Sequence, residues 1–327
     1  MQEKDKLKII NGAEIVPKEV SWLWYPYIPF GKVTIVQGDP GEGKSTFVLN
    51  LAAILTKGEQ LPFTDECIEP MNVIYQNTED DTDDTVIPRF LKAGGDVNRI
   101  FFIDEKSKAL SFSDDRIGAT IRETEAKLII FDPLTSYIGG DVSINLANEV
   151  RSRMNYLIDV ARETGCAVVI VGHLNKMSGT KAMYRSLGSI DVVGSARSCL
   201  LIGTSNDNPE HRIMAVQKSN LAEKGKSIEF SVRDGKVTFI KELDITADEL
   251  VNSFLSSAGK REGTKNELAK ETLLEMLSDG AKSQQEIISK MNELGISRRT
   301  VENVKSELGI KSMKMGKHWI WYSQNLM

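Results

Sequence analysis

The stretch Gly38-Asp39-Pro40-Gly41-Glu42-Gly43-Lys44-Ser45-Thr46 decides the fold of this chain. It matches the pattern GxxxxGK[ST], in which a glycine-rich loop turns several backbone N–H groups toward one anion. Lys44 adds a positive charge for the β- and γ-phosphates of a nucleotide, and Ser45 offers a hydroxyl to Mg²⁺. Residues 32–37 predict a buried strand before the loop, and residues 45–55 predict a helix whose N-terminus faces the phosphates. This order predicts a nucleotide-binding α/β domain that takes ATP and Mg²⁺.

The composition is that of an ordinary globular protein. The 327 residues carry a net charge of −5, with 41% hydrophobic and 27% charged residues, which suggests about two domains and argues against a uniformly basic protein that coats DNA. Cys67, Cys166 and Cys199 are widely spaced and form no CxxC pair, which favours a reducing compartment over disulfides or zinc. Residues 1–8 lack the apolar core of a signal peptide, and no apolar run approaches the ~20 residues of a membrane span. We therefore expect a cytoplasmic protein with no membrane partner.

Changes in composition along the chain predict four segments. Residues 1–30 form an N-terminal lead-in, and its aromatic cluster either packs on the sheet or stacks on adenine. Residues 31–245 form the nucleotide-binding core. Residues 246–264 are small, polar and charged, and they predict a linker. Residues 265–327 form a small C-terminal domain.

Two acidic residues follow predicted strands of the core. Glu79 comes after the strand 71–76, and ligands of open α/β sheets lie beyond the carboxyl ends of the strands. A carboxylate there can polarise the water that attacks the γ-phosphate, although Glu79 could instead cap the following helix. Asp132 ends the apolar strand 127–132, the Walker B pattern, and is predicted to hold the Mg²⁺ shell mostly through water.

A third polar position lies at the end of the strand 166–171. His173 is interpreted either as a γ-phosphate sensor or as a structural histidine.

Further along, residues 228–232 and 236–240 flank Asp234-Gly235, which predicts a hairpin. The sheet is therefore expected to begin with parallel strands and flanking helices and to close with antiparallel strands.

Two basic segments are candidates for DNA contacts. The polar stretch that follows the strand at His173 contains Lys176, Lys181 and Arg185, which either contact a phosphate backbone or form a solvated connector. At the C-terminus, three short helices and two strands predict a winged helix-turn-helix. Between residues 296 and 319, six Lys or Arg residues stand against two acidic residues, so duplex DNA is the expected partner and protein contact the alternative. The DNA candidates there are Arg298, Arg299, Lys305, Lys314 and Lys317.

Together these residues resemble the RecA-like ATPases, especially the RepA-type hexameric helicases of plasmids and other mobile elements. The resemblance covers residues 20–241. The matching segments are 38–46, 75–80, 128–133, 172–176, 184–189, 196–198 and 218–220. The winged helix is not a defining part of RepA-type proteins, and it resembles more closely the tail of mobile-element and prophage ATPases.

The resemblance implies specific roles and an oligomer. Glu79 matches the catalytic glutamate, and His173 matches a γ-phosphate-sensing position. Arg197 falls where such proteins place an arginine finger donated to the neighbouring subunit, and Lys218 would assist it. ATP sites shared between subunits imply a ring, most simply a hexamer, with single-stranded DNA in its channel against residues 139–148 and 177–188.

These inferences leave three hypotheses for function. The first is a ring-forming, DNA-stimulated ATPase that translocates on DNA, as a replicative helicase of a mobile element. The second is a RecA-like recombination or repair mediator that uses ATP as an assembly switch. The third is an ATP-gated DNA-binding regulator without motor activity. Intact Glu79, Asp132 and Arg197 favour hydrolysis and argue against the third.

Overall fold

A computed structural model describes residues 9–65, 67–138, 147–174, 190–278, 280–315 and 318–322. The chain divides into two compact units, Met1–Val251 and Asn252–Met327. In the described part of the first unit, a short hairpin of β1 (Trp22–Trp24) and β2 (Ile28–Pro29) precedes a nine-stranded sheet. The strands of this sheet are β3 (Val33–Gly38), β4 (Val73–Asn77), β5 (Ile100–Phe101), β6 (Leu128–Asp132), β7 (Ala167–His173), β8 (Ser198–Thr204), β9 (His211–Ser219), β10 (Ser227–Arg233) and β11 (Lys236–Leu243).

The sheet is mixed, and its order is β11-β10-β9-β8-β3-β7-β6-β4-β5. In this order, the six strands β8, β3, β7, β6, β4 and β5 are each parallel to their neighbours within that group. The pairs β8–β9, β9–β10 and β10–β11 are antiparallel. This arrangement confirms the predicted α/β fold with parallel strands first and antiparallel strands last. Because β3, β4, β6 and β7 are parallel, their carboxyl ends meet at one edge of the sheet.

Helices cover both faces of this sheet. They are α1 (Lys44–Lys57), α2 (Ile87–Lys92), α3 (Asp115–Thr124), α4 (Leu134–Tyr137), α5 (Ala147–Thr164) and α6 (Ile190–Ser195). A π-helical turn, Thr82–Val86, leads directly into α2. Residues alternate between the two faces: Ile35 packs in the cluster that includes α3 and α5, and Val36 packs in the cluster that includes α1. Strands that are buried on both faces consist of nearly continuous apolar residues, and these apolar runs allowed the strands to be predicted from the sequence.

The aromatic lead-in packs on the α1 face of the sheet. Trp24 and Tyr27 are buried, and the Trp24 ring lies 6.3 Å from the ring of Phe47 in α1. The Ser198 hydroxyl donates a hydrogen bond of 2.6 Å to the carbonyl of Tyr27. Trp24 and Tyr27 therefore pack on the sheet, which was the first of the two interpretations of the aromatic cluster. Tyr25 of the same cluster is exposed.

The segment expected to be a linker is helical. Helix α7 runs over Ala247–Ser278 and contains both the predicted linker and the predicted first helix of the C-terminal domain. The boundary between the two units falls inside it, after Val251. Gly259 and Gly263 lie within this helix, and a glycine costs a helix only about 1 kcal/mol relative to alanine. The Leu, Ala, Glu, Lys and Arg residues around them are strong helix formers.

The second unit combines helices with a small antiparallel sheet. After α7 come β12 (Lys282–Ser283), α8 (Gln284–Glu293), α9 (Arg298–Glu307), β13 (Lys311–Met315) and β14 (His318–Tyr322). The strand order is β12-β14-β13. Ser283 and Ser297 cap α8 and α9 by accepting hydrogen bonds from Glu286 N and Thr300 N. Trp321 is buried against apolar residues of the three helices, including Leu273, Ile287 and Val301.

The described residues contain no helix long and apolar enough to cross a membrane. All three cysteines are free thiols. Cys166 and Cys199 are buried, and burial raises the pKa of each thiol to about 12. Both residues therefore pack in the core.

Candidate nucleotide site

The phosphate loop joins β3 to α1 and requires glycine at specific positions. A Cβ atom on Gly38 would lie 2.2 Å from the carbonyl oxygen of Ile202 in the neighbouring strand. Gly43 has φ +80° at the N-cap of α1, where an L side chain would be strained. The backbone can therefore curl tightly before the helix begins, which leaves the first N–H groups of α1 free for an anion.

Lys44 is buried at the first turn of α1, and its Nζ donates a hydrogen bond of 2.8 Å to the carbonyl of Asp39. Burial lowers the pKa of Lys44, while the charges of Asp132, Glu42, Asp39 and Glu79 oppose this shift. A partly desolvated ammonium among acids is suited to receive phosphate oxygens, because it gains more from a new anion than a hydrated lysine does.

Asp132 lies next to Ser45 at the end of β6. The Tyr75 hydroxyl in β4 donates a hydrogen bond of 3.0 Å to Asp132 Oδ2. Burial raises the pKa of Asp132, whereas the Ser45 and Tyr75 side chains oppose this shift; the charge of Glu79 raises the pKa further, and that of Lys44 lowers it. The peptide bond to Pro133 is cis.

Glu79 lies on a turn that a side chain from the preceding strand holds in place. The Asn77 Oδ1 accepts hydrogen bonds from Glu79 N at 2.7 Å and Asp80 N at 3.0 Å. The Glu79 side chain is exposed, and its charge acts on Lys44, Asp132 and His173. The N-cap residue of the following turn Thr82–Val86 is Asp81, and its side chain makes no capping hydrogen bond.

His173 ends β7 beside the start of the phosphate loop, paired in register with Gly38. Its Nδ1 is buried and has no hydrogen-bond partner among the described residues. Burial, followed by the charge of Lys44, lowers the pKa of His173. A neutral imidazole with an unsatisfied nitrogen can exchange a hydrogen bond with a ligand at this edge.

The phosphate loop also contacts hairpin β8–β9. The Thr204 hydroxyl donates a hydrogen bond of 2.7 Å to Glu42 Oε2, and Arg212 Nε lies 3.3 Å from the same oxygen. In α1, Asn50 donates to the carbonyl of Gly235 at 2.9 Å and accepts from Val237 N at 2.9 Å. The antiparallel strands therefore support both the loop and the helix that follows it.

Arg197 and Lys218 lie at the opposite edge of the sheet. Arg197 directly precedes β8, where Ser198 pairs with Thr34 near the start of β3. Lys218 pairs with Cys199 at the same level. The Arg197 side chain is exposed. The Lys218 Nζ donates to the carbonyls of Val193, Gly194 and Ala196 at 2.8, 2.9 and 2.8 Å. The structure therefore does not bring these two residues to the phosphate loop of their own chain.

The DNA candidates differ in their surroundings. Arg298 and Arg299 are exposed in the first turn of α9, and Lys314 is exposed on β13. Lys305 is engaged within its own unit: its Nζ lies 4.4 Å from the centre of the Trp321 ring and donates to Ser312 Oγ at 3.2 Å. The remaining candidates, Lys176, Lys181, Arg185 and Lys317, lie outside the described residues, as do residues 139–146 and 177–188 of the predicted channel segments.

The edge of the sheet fits a nucleotide with Mg²⁺. Among the described residues, no three His, Cys, Asp or Glu side chains form a metal cluster. A site of Ser45 and Asp132 matches instead the few protein oxygens that Mg²⁺ takes when phosphates and waters complete its shell. The buried carboxylate of Asp132 and the orphan nitrogen of His173 both lie where such ligands are expected.

The fold and this site define a P-loop ATPase. Residues 3–179 match the family AAA_25, described as an AAA domain, and the chain belongs to this family. The chain is also similar to the DNA repair protein RadA of Halalkalibacterium halodurans, with 26% identity over 166 residues. That match covers 49% of this chain and 32% of RadA, so the chain spans about a third of the length of this relative. The family supports binding of ATP and Mg²⁺, and the narrower resemblance to RepA-type helicases stays a prediction.

Sequence reasoning missed the residues that support the site. Tyr75 lies in the predicted second strand, and Asn77 follows that strand directly. Glu42 is one of the predicted nucleotide-binding residues of the loop, but its contacts with Thr204 and Arg212 were not predicted. Nothing in the pattern of the strand 71–76, which also contains Asn72 and Gln76, singled out Tyr75. For Arg212 and Thr204 there was no signal, because their contact with Glu42 spans more than 160 residues.

Proposed function

We propose that this protein is a ring-forming, DNA-stimulated ATPase that translocates on DNA, as a helicase in the replication of a mobile element. The observation that carries the ATPase part is the meeting of Lys44, Asp132, Glu79 and His173 at one edge of the sheet. Each of them lies at the carboxyl end of β3, β4, β6 or β7, or in the few residues that follow it, and these parallel strands end at the same edge. Each matches a task that phosphoryl transfer requires.

In the proposed mechanism, the phosphate loop and Lys44 bind the β- and γ-phosphates. Ser45 and Asp132 would hold Mg²⁺, which when bound would supply positive charge to offset that of the phosphate oxygens. Glu79 orients a water molecule and accepts its proton as it attacks the γ-phosphorus. His173 contacts the γ-phosphate and reports whether it is present. The turn held by Asn77 keeps Glu79 at the edge of the sheet.

The oligomer completes the site in this proposal. Arg197 of one subunit would neutralise the charge that develops on the γ-phosphate bound by its neighbour. The exposed position of Arg197, at the far edge from its own phosphate loop, supports a role between subunits. A closed ring, most simply of six subunits, would repeat this contact at every interface. Lys218 would support Arg197 from the same edge.

DNA would bind this ring at two places. Single-stranded DNA would pass through the channel against Lys176, Lys181 and Arg185. Duplex DNA would contact the second unit, which we interpret as a winged helix-turn-helix with α9 as its recognition helix. The exposed Arg298, Arg299 and Lys314 support this assignment.

A second candidate is a recombination or repair mediator that assembles on DNA and uses ATP as a switch. The similarity to the DNA repair protein RadA favours this candidate. The shape of the assembly separates the two: a motor of the RepA type forms closed rings, whereas a RecA-like mediator forms filaments on DNA. Electron microscopy of the full chain with ATPγS and single-stranded DNA would distinguish these shapes.

Steady-state ATP hydrolysis with and without single-stranded DNA tests the proposal. The salt concentration is kept low and fixed, because phosphate contacts depend strongly on salt. We expect hydrolysis that single-stranded DNA stimulates, and its loss in Lys44→Ala with the fold retained. Full turnover in Lys44→Ala would contradict the site. Hydrolysis indifferent to DNA would contradict the motor and favour an ATP-gated regulator whose DNA contact lies in the second unit.

A further inference from the structure

The phosphate loop contains an acidic side chain where a triphosphate is expected to bind. Glu42 directly precedes Gly43 and Lys44. A carboxylate repels phosphate oxygens through their like charges, and the loop pattern does not call for an acid at this position. An ATP site with this residue therefore requires something to offset its charge.

Two side chains from hairpin β8–β9 hold this carboxylate. The Glu42 Oε2 accepts a hydrogen bond of 2.7 Å from the Thr204 hydroxyl and lies 3.3 Å from Arg212 Nε. Thr204 and Arg212 are opposite each other in the register of the two strands. The Arg212 and Glu42 side chains are only 22% and 19% exposed. Water and salt therefore screen this pair less than an ion pair on the open surface.

The Arg212 guanidinium is itself fixed in position. Its Nη1 donates hydrogen bonds to the carbonyls of Pro209 at 2.8 Å and His211 at 3.0 Å. A guanidinium presents several donors in a rigid fork, so these bonds and the contact with Glu42 form together. The positive charge is thus held beside the acid of the phosphate loop.

We propose that Arg212 neutralises Glu42, and that this pair lets the phosphate loop accept a triphosphate. Arg212 acts through Glu42, which makes it a positioning residue of the ATP site. Thr204 supports the same carboxylate and sets its orientation. The proposal rests on nucleotide binding at the phosphate loop and is independent of any role with DNA.

Removing the arginine should leave an uncompensated carboxylate beside the bound phosphates. In the full chain, Arg212→Gln is expected to weaken binding of ADP and ATPγS by roughly tenfold, and the loss should shrink as salt is raised. Glu42→Gln, which removes the charge and keeps an acceptor for Thr204, should bind at least as well as the unmodified protein. Glu42→Gln with Arg212→Gln should recover most of the affinity that Arg212→Gln loses.

The recovery in the double variant is the decisive readout, measured by calorimetric titration of each nucleotide. A double variant as weak as Arg212→Gln would overturn the proposal, since it would mean that Arg212 contacts the nucleotide or only supports the fold. Arg212→Gln with unchanged affinity would overturn it as well. If Arg212→Gln does not fold, Arg212→Lys keeps the charge and should bind nearly normally; a folded Arg212→Lys that binds poorly contradicts charge compensation.

Two controls separate this proposal from the nucleotide site itself. Arg122→Gln removes an ion pair of the same 3.3 Å length, with Glu163, whose side chains are 61% and 60% exposed; it should leave nucleotide affinity unchanged. Lys44→Ala should abolish binding. If the unmodified protein bound no nucleotide, the ATP site would be refuted. Normal binding with no effect of Arg212→Gln would refute only the role of Arg212.

Discussion

The hydroxyl of Tyr75 donates a hydrogen bond of 3.0 Å to Oδ2 of Asp132, from β4 to the neighbouring strand β6. Tyr75 is almost completely buried, and burial raises its pKa well above the usual value, so the hydroxyl stays protonated and remains a donor. The bond holds Oδ2 of the carboxylate in place at the end of β6. Tyr75 is therefore a positioning residue for the candidate Mg²⁺ site.

Tyr75→Phe removes this bond without changing the size of the buried ring. We expect the Mg²⁺ concentration that gives half-maximal hydrolysis to rise by about tenfold, because outer-shell partners of a metal site act on its affinity. The measurement is hydrolysis against MgCl₂ at fixed ATP. Tyr137→Phe is the matched control: it removes a buried hydroxyl 3.4 Å from Glu105 and should leave the Mg²⁺ dependence unchanged. Identical curves for Tyr75→Phe and the unmodified protein would contradict the role of Tyr75.

His173 should make the protein more sensitive to acid. Its pKa in the folded state lies below the ordinary 6.5, owing to burial and then to Lys44. Below pH 6.5 the unfolded chain binds a proton at His173 that the folded protein does not yet bind. His173 therefore contributes its full share to the free energy of unfolding above pH 6.5, and this share is lost as the pH falls through the folded pKa. In His173→Gln the fall in melting temperature between neutral and acid pH should be smaller. Parallel pH profiles of the two proteins would contradict a lowered pKa of His173 in the folded state.

A mixture of two inactive variants tests the shared site. Arg197→Ala and Glu79→Gln should each lose at least about 100-fold in turnover, since a finger or a catalytic carboxylate is worth that much or more. Both should still bind ATP. In mixed oligomers, an interface with an intact Glu79 and an intact neighbouring Arg197 can form, so activity should partly return. Absence of recovery in oligomers shown to be mixed would argue that Arg197 does not act between subunits.

Lys218 is expected to act on the protein rather than on the nucleotide. Its Nζ donates to three carbonyls at the end of α6, just before Arg197. Lys218→Met should therefore lower the free energy of unfolding by about 2 kcal/mol, by loss of charge-assisted hydrogen bonds, and should lower turnover as well. Lys226→Met, at an exposed ion pair 3.9 Å long, should change stability by less than about 0.5 kcal/mol. Turnover lost with stability unchanged would instead identify Lys218 as a direct phosphate ligand.

The exposed arginines of α9 should contribute to duplex binding without affecting hydrolysis. Replacing Arg298 and Arg299 together by alanine should weaken the affinity for duplex DNA by about tenfold or more. The slope of log affinity against log salt concentration should fall by the amount that roughly two phosphate contacts contribute. Fluorescence anisotropy with labelled duplex at several salt concentrations measures both effects. Lys290→Ala on α8, whose Nζ lies 3.3 Å from Glu293, is the control. Unchanged affinity of the arginine variant would assign this unit to protein contacts.

Prediction from sequence succeeded where local pattern controls structure. The strand before the loop, the helix after it and the hairpin around Asp234-Gly235 follow from periodicity and turn chemistry. The linker prediction rested on small, polar and charged residues and did not anticipate the helix, because several of these residues are also strong helix formers. For Lys305 the sequence supplied the charge but not its contact with Trp321.

By itself, the sequence determined the class of site: the glycine pattern from Gly38 to Gly43, with Lys44 and Ser45 after it, specifies a phosphate loop because backbone conformation and residue chemistry are local properties. It also supplied Asp132 and Glu79 through their positions after apolar runs. Only the tertiary structure decided which distant groups share that edge. The contacts of Tyr75 with Asp132 and of Arg212 with Glu42 come from strand order and register, which bring together residues far apart in the chain. The same sheet separates Arg197 from its own phosphate loop, since the start and the end of parallel strands lie at opposite edges.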